Sequence, residues 1–207
     1  TDQPASSQVE YGTTTNYGST SAQNSLLVNT HSVTLSGLTN GTAYHYRVIS
    51  TNLIGLTTTS DDFTFTTVAK AVITDVAASN ITGTTATITW TTDQASNTQV
   101  EYGQNTSYGT LTTPNPALVT AHTQTLTGLS AGTVYHYRVR STNAVGLQTI
   151  VGDFTFTTIA APVISLVTTS NITGSAATIS WTTNQPASST VEYGPTSAYG
   201  FSTTLDA

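Results

Sequence analysis

Leu129-Ser130-Ala131-Gly132-Thr133-Val134-Tyr135-His136-Tyr137-Arg138-Val139 is the stretch on which the fold of this chain turns. A turn of small residues leads into a run in which Tyr135, Tyr137 and Val139 alternate with His136 and Arg138, the period of a strand with one buried face. Its core is already present 91 residues earlier, where Tyr44-His45-Tyr46-Arg47-Val48 stands in place of Tyr135-His136-Tyr137-Arg138-Val139. The alternation places the tyrosines inward and leaves His136 and Arg138 together on the outer surface.

Working outward, other segments recur at the same shift. Val9-Glu10-Tyr11-Gly12 returns as Val100-Glu101-Tyr102-Gly103 and again as Val191-Glu192-Tyr193-Gly194. Ile81-Thr82-Gly83 with Ile88-Thr89-Trp90 returns as Ile172-Thr173-Gly174 with Ile179-Ser180-Trp181. Residues 2–68 align on 93–159 without a gap, with 37 identities in 67. A period of 91 residues is one domain long. Residues 1–68 hold the later strands of one repeat, 69–159 a complete repeat and 160–207 the first strands of a third.

Within the complete repeat, Ala86, Ile88 and Trp90 point one way and Thr85, Thr87 and Thr89 the other. Comparable runs lie near 71–78, 97–102, 122–127, 134–140 and 152–157, separated by turns such as Thr82-Gly83-Thr84. About seven short strands per 91-residue repeat, with no helical periodicity, predict an all-β chain of tandem antiparallel β-sandwiches. Thr dominates the composition and charged residues make up only 7%, which suits strands because β-branched side chains fit a pleated surface.

The order of Trp90 followed by Leu129-x-x-Gly132-Thr133-x-Tyr135 resembles immunoglobulin-like fibronectin type III modules, and the resemblance extends over the whole chain. It implies a core built on Trp90, Trp181, Tyr44, Tyr46, Tyr135, Tyr137, Leu38 and Leu129, with Tyr44 and Tyr135 as corner residues. The Val-Glu-Tyr-Gly run and Phe154-Thr155-Phe156-Thr157-Thr158 are most similar to the variant that precedes the catalytic domain of purple acid phosphatases and recurs in bacterial secreted proteins. The metal-binding motifs of that catalytic domain are missing here, so the resemblance implies a module and not the phosphatase activity.

Four Lys plus Arg against ten Asp plus Glu give a net charge of −6, no footprint for nucleic acid or anionic lipid. No run of eighteen apolar residues occurs, so this segment is not expected to insert in a membrane. Cys and Met are absent, which excludes disulfides and thiol chemistry and is compatible with an oxidising exterior. His31, His45, His122 and His136 fall on two repeat positions without metal-ligand spacing and read as structural. Glu101 faces outward on the strand beside Arg138, which predicts a cross-strand ion pair repeated as Glu10 with Arg47, each contributing roughly 0.2–1 kcal/mol. Asp61-Asp62 has the look of a calcium seed, but the next repeat carries Gly152-Asp153 and halves the carboxylates. No paired carboxylates, nucleophile with base, or metal cluster is legible, so the segment is expected to be non-catalytic and to use no cofactor. Sequons at Asn40, Asn80, Asn105 and Asn171 are candidate glycan attachment points at turns.

The expected use is a semi-rigid stalk, filament or sheath on or beyond a cell surface, prokaryotic, each module adding about 30–40 Å. The alternatives are spacer or accessory modules of a large secreted hydrolase, and adhesin modules binding a cell-surface glycan or a protein. The partial terminal repeats leave two readings. The chain is a window on a longer array, the preferred one because the Val-Glu-Tyr-Gly strand occurs at both ends, or copies of it exchange strands head to tail.

Overall fold

The structure, a computed structural model, describes residues 1–204 and Asp206. Its first repeat comprises β1 (Ala5–Gly12), β2 (Ser19–Thr20), β3 (Asn24–Val28), β4 (Ala43–Thr51), β5 (Thr57–Thr59) and β6 (Phe63–Thr66). The middle repeat comprises β7 (Ile73–Ser79), β8 (Thr85–Gly103), β9 (Thr110–Leu111), β10 (Asn115–Thr127), β11 (Val134–Thr142) and β12 (Gln148–Thr157). The last contributes β13 (Ile164–Ser170), β14 (Thr178–Thr183), β15 (Glu192–Tyr193) and β16 (Phe201–Ser202). The chain is all-β, and every ladder is antiparallel.

In the middle repeat, Thr85–Thr92 of β8 lie between β7 and β10, whereas Gln99–Gly103 of the same strand pair with β11. The far side of that second segment carries the short β9, and β12 closes the layer beyond β11. Two separate strands were expected over 85–90 and 97–102. They are one, because the pairing to β10 absorbs the bend in irregular steps between Asn115, Val119 and Ala121 instead of breaking into a turn. The middle sandwich therefore has six strands, with β8 serving both layers.

Between the layers lies the core: Ile73, Ala86, Ile88, Trp90, Val100, Leu126, Leu129, Tyr135, Tyr137, Val139 and Phe156. Ala86, Ile88 and Trp90 are buried to 1% exposure or less, as their alternation along the strand requires. Tyr135 stacks on Phe156 with centroids 5.6 Å apart. Its hydroxyl accepts a 3.1 Å hydrogen bond from the Ser130 amide, and Tyr44 holds the Thr39 amide in the same way at 3.0 Å. These bonds pin the turn that introduces each tyrosine strand.

The terminal repeats are half-sandwiches. The first has the layer of β1, β2, β4, β5 and β6 but nothing corresponding to β7 or to Thr85–Thr92. The last has the hairpin β13–β14 and the separate ribbon β15–β16. This geometry corrects three core assignments: Trp181, Tyr46 and Leu38 are only half-buried, because the layer that covers their counterparts Trp90, Tyr137 and Leu129 is missing around them. It also explains why residues 30–36 form no strand while the equivalent 121–127 do. A strand requires a partner for its amides and carbonyls, and theirs is lacking.

Candidate functional site

Three constellations stand out, two of them repeated. The first lies on the outer face of the tyrosine strands. Arg138 Nε donates to Glu101 Oε2 at 2.8 Å, and Arg47 Nε to Glu10 Oε2 at 2.6 Å. Each pair is opposed directly across the ladder, Glu101 to Arg138 and Glu10 to Arg47, so strand register alone brings the charges together. Each guanidinium also covers a tyrosine ring, Arg138 on Tyr108 at 4.6 Å and Arg47 on Tyr17 at 4.8 Å. The tyrosine hydroxyls donate to Asp153 at 3.3 Å and to Asp62 at 3.0 Å. The same carboxylates meet His136 Nδ1 at 2.9 Å and His45 Nδ1 at 2.7 Å.

The electrostatics follow from these contacts. Hydrogen bonds from Arg138 and then Arg140 hold the Glu101 carboxyl below the usual carboxylate range against the opposing effect of burial. The His45 hydrogen bond, joined by that of Tyr17, holds Asp62 low. Burial and, secondarily, the Asp153 charge push the Tyr108 hydroxyl up. Every carboxylate in the cluster is matched by a hydrogen-bond donor on a neighbouring residue. Asp62 is engaged by His45 and Tyr17, and among the described residues no group of three or more His, Asp or Glu is placed to hold a metal.

Tyr17, Tyr108 and Asp153 were not recognised from the sequence as members of this cluster. A signal was present, since Tyr17 and Asp62 recur 91 residues on as Tyr108 and Asp153. The turn that presents the tyrosine is itself demanding. Tyr17, Tyr108 and Tyr199 have φ of 56°, 57° and 56°, and a Cβ on Gly103 would lie 1.5 Å from the Tyr108 carbonyl oxygen. Glycine ends the Val-Glu-Tyr-Gly run because no side chain fits there.

The second constellation is internal. Trp90 stacks on His122 with centroids 4.9 Å apart and planes 7° from parallel, and its Nε1 donates to Ser141 Oγ at 3.0 Å. His122 lies between two hydroxyls, with Nε2 2.9 Å from Thr92 Oγ1 and Nδ1 2.8 Å from Thr98 Oγ1. Burial pushes its pKa below the ordinary imidazole value. His31 occupies the same repeat position, with Nε2 3.3 Å from Thr1 Oγ1, but its buried Nδ1 has no partner.

The third is a trough of about 760 Å³ in the first repeat, walled by Val9, His31, Leu35, Tyr46, Val48 and Phe65. The sequon asparagines Asn40, Asn80, Asn105 and Asn171 are all exposed. Asn80 and Asn171 have φ of 48° and 50°, a left-handed conformation that favours Asn for local reasons.

The complete antiparallel sandwich, introduced by the Tyr135 turn and packed on the buried Trp90, with the same segments recurring at a shift of 91 residues on either side of it, defines a fibronectin type III-like array. Residues 71–151 match the fibronectin type III domain family, and residues 1–67 match the family described as purple acid phosphatase, N-terminal domain. Endoglucanase B of Cellulomonas fimi is 38% identical over 138 residues, which are 61% of this chain and 13% of that protein. The chain thus spans a small part of the length of this relative. The crystal structure of chicken CNTN1 FN1-FN3 domains aligns over 75% of this chain and 57% of that one, at 15% identity and a TM-score of 0.38.

Proposed function

We propose that the chain is a non-catalytic structural segment of an extracellular protein, a semi-rigid run of sandwiches that sets the distance between what it joins. The observation that carries this reading is the way the joints are stitched. The Ala69 carbonyl accepts from Asn143 Nδ2 at 3.0 Å and Gln94 Nε2 at 3.3 Å, both in the following sandwich, while the preceding Val68 carbonyl accepts from the Gly41 amide of the first repeat at 3.1 Å. The next joint repeats the pattern. Gln185 Nε2 donates to the Ala160 carbonyl at 2.8 Å, and the Gly132 amide donates to the Ile159 carbonyl at 3.2 Å. Linkers whose carbonyls are bound on both sides swing less than flexible coil does.

A second reading, spacer or accessory modules within a secreted hydrolase, is favoured by the likeness to a stretch of Endoglucanase B. Sedimentation with microcrystalline cellulose separates a polymer-binding accessory module from a spacer or stalk. A spacer or stalk stays in the supernatant and releases no sugar, whereas an accessory binding module pellets with the polymer. Small-angle scattering on arrays of increasing repeat number tests the rod: maximum dimension grows by about 30–40 Å per added module if the joints are stiff, and much more slowly if they are coil.

A further inference from the structure

Of the four Lys and Arg in this chain, Lys70 is the one that lies outside a strand. Arg47 belongs to β4, and Arg138 and Arg140 to β11. Each of those strands is laddered on both sides, β4 between β1 and the pair β5 and β6, β11 between β8 and β12. All three guanidiniums are engaged by carboxylates, Arg47 by Glu10 and the other two by Glu101. Lys70 instead stands exposed in the joint between the first and middle repeats.

The residues around it are clasped from both sandwiches. The Val68 carbonyl accepts from the Gly41 amide at 3.1 Å, and the Ala69 carbonyl from Asn143 Nδ2 and Gln94 Nε2. Past Lys70, the Ala71 carbonyl accepts from Thr149 Oγ1 at 2.6 Å. The Val72 amide donates to Asp93 Oδ1 at 2.7 Å, and its carbonyl accepts from the Asp93 amide at 3.2 Å. Among the described residues nothing binds the Lys70 amide or carbonyl. The joint therefore displays a cationic side chain while it ties down the backbone on either side. An endoprotease takes its substrate as an extended strand, pairing with the amides and carbonyls that flank the scissile bond. Those groups are released only when the joint opens, and nicking follows such bonding of the backbone more than position in the chain.

We propose that the Lys70–Ala71 bond is a gated processing site, cut by a trypsin-like endoprotease only after the joint has opened. The Lys70 ammonium pairs with the carboxylate at the base of the enzyme's specificity pocket. One water is consumed: the C–N bond breaks, the Lys70 carbonyl carbon takes the water oxygen and becomes a carboxylate, and the Ala71 nitrogen leaves as an amine. No strand is severed, since β6 ends at Thr66 and β7 begins at Ile73. The next joint is pinned in the same way but offers no such bond. There Ala161-Pro162 replaces Lys70-Ala71, which gives the pocket no cation and puts a proline ring on the leaving nitrogen. The cut thus falls at one joint and not at its repeat. The inference rests on the stitched joints of the proposed function, and the two fail differently: scattering reads every joint, whereas proteolysis reads this bond alone.

The test exposes the full 207-residue chain to trypsin and follows intact mass. Two products are expected, residues 1–70 and 71–207. Asn143→Asp removes the donor to Ala69 while keeping the oxygen that receives the Val145 and Leu147 amides. Thr149→Val removes the hydroxyl bound to Ala71. The double variant is expected to be cut at the same bond roughly tenfold faster, because cleavage tracks the population of the opened joint. Lys70→Gln is expected to survive intact over the time in which the parent is consumed. The near-ultraviolet circular dichroism of Trp90 verifies that the middle sandwich is folded in every variant. Cleavage after Arg47, Arg138 or Arg140 ahead of Lys70 overturns the inference, because another segment is then the weak point. Equal rates in the parent and the double variant overturn the gate, and a double variant left intact overturns the site itself.

Discussion

Tyr135 shows how much of the sandwich hangs on single atoms. Its ring is buried against Phe156 and its hydroxyl receives the Ser130 amide, so Tyr135→Phe keeps the packing and leaves that amide without its acceptor. The expected cost is about 1–2 kcal/mol in urea unfolding of the middle sandwich, with the m-value unchanged. Gly103→Ala is expected to be worse than any loss of a contact, because the added methyl meets the Tyr108 carbonyl oxygen at 1.5 Å. It should abolish the turn and the Arg138–Tyr108 contact together, seen as loss of protection of the Glu101 and Tyr102 amides in hydrogen exchange. His122 makes the core sensitive to acid. Its folded pKa lies below the ordinary 6.5 because burial disfavours the imidazolium, so the unfolded chain binds more protons in that window. Stability is full above 6.5 and falls as pH drops through it towards the folded value. Melting temperature between about pH 7 and pH 5 is expected to fall more steeply in the parent than in His122→Phe.

Among the elements, the pair of β8 and β11 carries a network whose two copies differ in strength. Glu101 receives Arg138 and, at 2.8 Å, Arg140, whereas the residue corresponding to Arg140 in the first repeat is Ile49. The depressed Glu101 pKa makes its contribution complete above the ordinary carboxyl value of 4.5, and it is lost as pH falls below that through the folded value. Glu101→Gln is expected to cost roughly 1 kcal/mol near neutral pH and to flatten the acid limb of the stability profile. A double-mutant cycle with Arg138→Met should recover most of that as coupling. These contacts were within reach of the sequence because alternation along a strand and pairing between neighbours both have fixed periods. The inner face, Trp90 and the corner tyrosines were legible for the same reason. The fusion of two strands into β8 was not, since Thr91-Thr92-Asp93-Gln94 reads locally as a break and is kept extended by pairing with β7 on one side and β10 on the other. Nor was the half-exposure of Trp181, Tyr46 and Leu38, because burial belongs to both layers of a sandwich and a pattern along one strand describes only its own side.

At the largest scale, within these 207 residues the middle repeat has both layers of its sandwich and the terminal repeats are each described in part. The half-sandwiches should therefore yield first: amides of β4 and β14 are expected to exchange faster than those of β11 and β8 in the same sample. The course of β8 through both layers also governs what happens when the chain is pulled from its ends. Force enters the middle sandwich near β7 and leaves near β12, and the two layers cannot part while β8 is laddered into both. Extension by atomic force microscopy is thus expected to show the middle repeat giving way in one rupture, releasing roughly 300 Å of slack for its 91 residues, with no intermediate plateau. A strand shared by both layers acts as a mechanical fuse, which holds the module at full length up to one threshold and then lets it pay out all at once.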